Sequence, residues 1–263
     1  MHLPDECTES KKPNYLEIAN ILATELQVEL KPYYSKNDKA HQWDHVLQVL
    51  DNVTYIFYHL DRSPKLAQWA SELGEDIVVS FTKTAIAALY HDMFSTENRK
   101  EHHELAKAFI IKGDDYLLAI DKAARVHIGQ IASEHRASFK DEYSSIECEI
   151  LAAADRGAPD VDAYIMRSIL YAHTKRKYSK LDSLVHGLIH IGQKFGSNKN
   201  AKVPDWYDDF YKEQIRRSKG MFELCGNTQF DAEMAIGFVR TYFDLDTKVR
   251  QWAEEIVLDG LPW

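Results

Sequence analysis

Turn-forming residues are scarce in this chain. Eleven glycines and seven prolines among 263 residues fall below an average usage of about 7% and about 5%, so a mostly helical protein is expected. Cysteine is sparse as well. Cys7, Cys148 and Cys225 form no CxxC pair, and their odd number argues against a secreted disulfide framework. A reducing, cytoplasmic setting is the expectation. No run of about 18 apolar residues is present, so neither a membrane span nor a membrane partner is expected. The polar start, with Asp5, Glu6 and Glu9, does not read as a signal peptide. Positive charge is in deficit: 32 Lys and Arg stand against 41 Asp and Glu, a net charge of −9. That disfavours duplex nucleic acid as a partner, because a sequence-independent grip needs a basic face. A small phosphorylated substrate stays open, since a site can be locally positive.

What is present is apolar periodicity of the helical kind. The pattern predicts helices over 15–30, ended by Pro32, and over 40–60, where Val46, Val49, Leu50, Val53 and Phe57 share one side. Further helices are expected over 64–73, 76–92, 100–112, 116–135 and 144–154, then over 160–172, 178–194, 204–224 and 230–258. No stretch alternates convincingly with period two. The class is all-α. The glycine- and asparagine-rich stretch at 192–200 is the clearest loop. The expected organisation is a polar tail over 1–14, a core over 15–195, and a C-terminal helical extension over 196–263.

Four apolar stripes carry polar groups where water should be scarce. Phe81, Ala85 and Ala88 lead to Asp92, with His91 about 100° round the helix. Cys148, Leu151 and Ala152 lead to Asp155. Ala124, Ile128 and Ile131 lead to His135. His45 shares a flank with Val49, Val53 and Ile56. A buried carboxylate is costly unless it is paired or bound to metal. Imidazoles and carboxylates are the ligand types of Zn, Fe, Mn and Ni. Convergence of these four stripes on one cation would offset the desolvation cost of each.

These residues resemble the HD-domain superfamily of metal-dependent phosphohydrolases. Its pattern is a first His, an adjacent His-Asp pair and a distant Asp, on separate helices. Here AlaHisGlnTrpAspHisValLeu supplies His45, AlaAlaLeuTyrHisAsp supplies His91 and Asp92, and LeuAlaAlaAlaAspArgGly supplies Asp155. The resemblance covers about 38–175. It implies an HD-domain-like helical bundle with additional C-terminal helices. Branches of the family add two histidines that hold a second metal. The resemblance favours His103 for one, although helical phase does not choose between His102 and His103, and His135 for the other. The implied ligand set is His45, His91, Asp92, His103, His135 and Asp155. His91 and Asp92 are the implied catalytic pair, with Asp92 bridging two ions.

The implied chemistry is hydrolysis of a phosphate ester or anhydride of a nucleotide or related small molecule. Two divalent transition ions (Mn, Fe, Co, Ni or Zn, with Mg also admitted) would lower the pKa of a bound water and clamp a phosphate oxygen. His41, one helical turn before His45, and the cations Arg156, Lys175 and Arg176 are candidates for substrate binding. Glu97 is a weaker candidate proton donor. Two alternatives stay open: an HD-type di-iron oxygenase and a non-catalytic helical nucleotide-binding protein. A homo-oligomer is also left open.

Overall fold

A computed structural model of the chain describes residues 13–37, 42–98, 100–136, 138–158, 160–195 and 202–259. The described residues contain helices and no strand, as the periodicity requires. The expected tail over 1–14 lies almost wholly outside them. The helices are α1 (Tyr15–Tyr34), α2 (Trp43–Tyr58), α3 (Pro64–Leu73), α4 (Ile77–Tyr90), α5 (His102–Lys112), α6 (Lys122–Ser133) and α7 (Ile146–Arg156). They continue as α8 (Val161–Thr174), α9 (Lys180–Phe195), α10 (Tyr207–Phe210), α11 (Lys212–Asn227), α12 (Ala232–Tyr242) and α13 (Lys248–Leu258).

The differences from the sequence reading have local causes. Pro32 does not stop α1, which runs on to Tyr34, because one missing N–H in a last turn costs little there. The expected 116–135 helix is split. A short 3-10 turn, Leu117–Ala119, comes first, and Asp121 then caps α6 by accepting from the Ala124 N–H. The expected 230–258 helix is likewise two helices. Thr247 accepts from the Arg250 N–H and starts α13 anew. Short polar side chains at such positions compete with continued helix by satisfying the exposed N–H groups of a new one. The 204–224 segment divides at Tyr211 into α10 and α11.

The chain forms two compact units. The first holds residues 1–136 and 141–155, and the second holds 137–140 and 156–263. The expected division in the 196–200 loop is therefore replaced by one between Asp155 and Arg156, and that loop itself lies outside the described residues. The reason is where α8 and α9 bury their apolar faces. Ile165, Ile169, Leu184 and Leu188 join Phe238, Val239 and Trp252 in one core, so these helices belong with the C-terminal part.

In the second unit α9 is central, with α8, α11, α12 and α13 packed on it. Two glycines make the close crossings possible. A Cβ on Gly187 would lie 2.8 Å from the Ile169 Cα, and one on Gly192 would lie 2.2 Å from the Cys225 carbonyl oxygen.

In the first unit α4 is central, packed by α1, α2 and α6, with α5 on α6. Its sequence is apolar nearly all round, as a helix surrounded by others requires. Phe81, Ala85, Ala87, Ala88, Leu89 and Tyr90 are fully buried. A polar contact ties α7 to α4, from the Ser80 hydroxyl to Glu147 Oε1 at 2.5 Å. The result is a bundle in which α4, α6 and α7 all finish in the same region.

Candidate metal centre

Those finishing points carry the polar groups. α4 ends at Tyr90, and the turn that follows carries His91 and Asp92. α6 ends at Ser133, two residues before His135. α7 carries Asp155 in its last turn. His45 comes from the first turn of α2, and His102 opens α5. Helix C-termini present carbonyls and the negative end of the helix dipole, so three of them together favour a cation.

The donor atoms meet. His91, Asp92 and His135 place one ligand atom each within 4.8 Å of one another, and so do His45, His91 and Asp155. The two groups share His91, and the Asp92 carboxylate reaches toward both sides with its two oxygens. Asp92 Oδ2 lies 3.5 Å from His91 Nε2 and 3.9 Å from His45 Nε2. Asp92 Oδ1 lies 3.0 Å from His102 Nε2 and 3.5 Å from His135 Nε2. Asp155 Oδ1 completes the first side, 3.2 Å from His45 Nε2 and 3.8 Å from His91 Nε2. On the second side the Nε2 atoms of His102 and His135 are 3.4 Å apart.

These spacings fit a metal. Donors about 2.1 Å from one ion are about 3.0 Å apart at a right angle and about 3.4 Å apart at the tetrahedral angle. Protonation makes the stronger argument. His91 Nδ1 lies 2.8 Å from the Ala88 carbonyl oxygen, and His135 Nδ1 lies 2.7 Å from that of Ala132. A carbonyl only accepts, so each Nδ1 carries the hydrogen and each Nε2 of a neutral ring turns a bare lone pair into the site. Burial is the main cause that pulls His91 down, to about 4, so its ring is neutral at pH 7. Its Nε2 is buried with no hydrogen-bond partner, and it faces two carboxylates. A lone pair aimed at anions is unfavourable unless a cation lies between them. Burial raises the Asp92 carboxyl, but the imidazoles of His91, His102 and His135 outweigh it and hold it well below the carboxylate range. At neutral pH the carboxylate is charged, as a ligand must be.

Several polar groups outside the cluster fix the ligands. Asn52 Nδ2 donates to the Ala154 carbonyl at 2.8 Å, joining α2 to the residue before Asp155. Tyr34 Oη donates to the Leu89 carbonyl at 2.7 Å, and Asn37 Nδ2 donates to that of Asp92 at 3.1 Å. Glu134, beside His135, accepts from the Ser144 N–H at 2.8 Å and also from the Ser144 hydroxyl and Gln130. Sequence reasoning missed these residues. Tyr34, Asn37 and Glu134 sit at helix ends or in turns, and Asn52 is a half-buried polar residue within α2, so no periodicity marks them.

Of the expected ligands, His45, His91, Asp92, His135 and Asp155 come together. His103 does not, and His102 takes its place. His102, Ala106 and Ile110 form the buried stripe of α5, and that four-residue spacing was the available signal. His103 is turned aside, with Nδ1 3.4 Å from an Arg136 nitrogen and Nε2 3.7 Å from Glu104 Oε1. Burial, then the Arg136 charge, lower its pKa. Of the expected substrate-binding residues, His41 lies outside the described residues. Arg156, Lys175 and Arg176 belong to the second unit, and Lys175 and Arg176 are exposed. Glu97 is exposed beyond the His91–Asp92 turn.

No family model, curated protein or solved structure matches the chain.

Proposed function

We propose that this chain is a metal-dependent phosphohydrolase of the HD type, acting on a phosphate ester or anhydride of a nucleotide or related small molecule. The observation that carries the reading is the divided Asp92 carboxylate, with one oxygen toward His45, His91 and Asp155 and the other toward His102 and His135. A carboxylate so placed suits two divalent ions, the first held by His45, His91, Asp92 and Asp155 and the second by Asp92, His102 and His135. Imidazole-rich donor sets suit Mn, Fe, Co, Ni or Zn better than Mg. When bound, such ions supply Lewis acidity and a lowered pKa for water at neutral pH.

The chain's own groups divide the remaining work. The His91, His135 and Asp92 side chains are within 5% of full burial, whereas those of His45 and Asp155 are 15% and 14% exposed. A substrate therefore approaches over the His45–Asp155 rim. With neutral imidazoles, the two carboxylates leave the site negatively charged, so phosphate binding depends on the cations. The Nδ1 hydrogens of His91 and His135 are committed to carbonyls, which leaves these rings to bind and orient rather than to carry protons. The buried free thiols Cys148 and Cys225 suit the reducing, cytoplasmic setting proposed here. No described helix is long and apolar enough to cross a membrane.

The test is elemental analysis of the purified protein, then a nucleotide and phosphate-ester panel run with the metal found, with and without oxygen. Phosphate release independent of oxygen supports the proposal. Turnover that requires oxygen favours a di-iron oxygenase. Tight nucleotide binding with no turnover in any metal favours a binding protein.

A further inference from the structure

The Asn37 carboxamide is buried, with only 5% of the residue exposed, in a segment that carries none of the ligands. Its Nδ2 donates to the main-chain carbonyl of Asp92 at 3.1 Å. Its own main-chain N–H donates to the Tyr34 carbonyl at 3.0 Å, at the end of α1. Its main-chain carbonyl accepts from Gln42 Nε2 at 3.2 Å. Gln42 is the residue that precedes α2, and its carbonyl accepts from the His45 N–H at 3.0 Å. A continuous polar path thus runs from the backbone of Asp92 through Asn37 and Gln42 to the backbone of His45. His45 lies on α2 and Asp92 in the turn after α4, and their donor atoms stand 3.9 Å apart.

We propose that Asn37 is a positioning residue that sets the separation of His45 from Asp92, and so the fit of the first ion. The inference rests on the metal-site reading given above. Three facts support it over a role in helix capping alone. The bond is made to the carbonyl of a ligand residue itself. The Asp92 carbonyl already accepts from the Ser95 N–H at 3.0 Å, so it needs no second donor for its own sake. The opposite end of the path meets the first turn of the helix that bears His45. Thr84 offers the matched comparison. Its buried hydroxyl also bonds a carbonyl of α4, at 2.9 Å, but that carbonyl belongs to Ser80, which is no ligand.

The experiment is a Co(II) titration of the full chain, after chelation and dialysis, followed by visible absorption and calorimetry. The proteins are wild type, Asn37→Ala, the isosteric Asn37→Asp, and Thr84→Val, all at a temperature where circular dichroism shows them folded. Loss of a group that orients a ligand typically lowers metal affinity about 10- to 100-fold. The expected result is a loss of at least about tenfold at the tighter site in both Asn37 variants, with Thr84→Val within about threefold of wild type. Two variants at one position keep the test alive if one of them misfolds. Wild-type affinity at both sites in an Asn37 variant overturns the proposal, as does an equal loss in Thr84→Val. Failure of wild type to bind Co(II) at all removes the metal-site reading instead.

Discussion

Exchanging neighbouring histidines for alanine gives the sharpest test of the metal centre. His102 and His103 are adjacent, share a helix, and differ by about 100° in direction. His102 points its Nε2 to within 3.0 Å of Asp92 Oδ1 and 3.4 Å of His135 Nε2. His103 instead meets Arg136 and Glu104. Among the described residues the second group of donors is Asp92 Oδ1, His102 and His135, so His102→Ala removes one of three. Losing an outer partner of a ligand already costs about 10- to 100-fold, so losing a ligand should cost at least about 100-fold. That is about 2.7 kcal/mol, enough to drop the bound stoichiometry from two ions to one after desalting. His103→Ala should change affinity less than about twofold, since its nearest polar partners are a cation and an exposed carboxylate. The assay is plasma mass spectrometry of the desalted proteins together with calorimetric titration. If His103→Ala loses an ion and His102→Ala keeps both, the geometry derived for α5 is wrong.

Four further outcomes are expected. Asp92→Asn keeps the shape of the side chain but leaves one oxygen, so it should hold one ion at most, read by the same mass spectrometry. Gly192→Ala puts a Cβ 2.2 Å from the Cys225 carbonyl oxygen and should destabilise the second unit by about 1–3 kcal/mol or more, measured by urea unfolding, with metal content unchanged. Burial pushes the Cys148 and Cys225 thiols up to about 12, so neither should react with iodoacetamide at pH 8 until the protein is unfolded, as peptide mapping would show. Burial raises the Glu134 carboxyl, but hydrogen bonds from Ser144 and Gln130 outweigh it and hold it below its ordinary value. Its contribution to stability is therefore full above the unfolded carboxylate pKa and lost as pH falls through the folded value. Chelator-treated wild type should lose more stability than Glu134→Gln between pH 6 and pH 3; parallel pH curves would refute this.

The helical class and most of the ligands were legible because both follow from periodicity. A buried stripe that ends in Asp92, Asp155 or His135 declares its direction, and three such directions met. His102 was ambiguous because α5 carries a weakly apolar face, on which two adjacent histidines fit almost equally well. The division of the chain was misplaced because glycine and asparagine mark loops, whereas a unit is defined by which faces pack together. The stripes of α8 and α9 look alike whether their partners lie before them or after. Asn37, Asn52 and Glu134 could not be read in advance, since each acts through a backbone carbonyl or a distant serine that only the folded chain brings near.

The two imidazoles tethered through Nδ1, those of His91 and His135, bear on the kinetics of loading. Neither ring must change tautomer or search rotamers when an ion arrives. His91 is neutral at neutral pH; burial lowers the His135 pKa, but the Asp92 carboxylate outweighs it and raises it, so only above that raised value is neither Nε2 protonated. Capture is then paced by how fast the incoming ion sheds its own hydration. Labile aqua ions such as Mn(II) should enter quickly and inert ones such as Ni(II) slowly, whatever their final affinities.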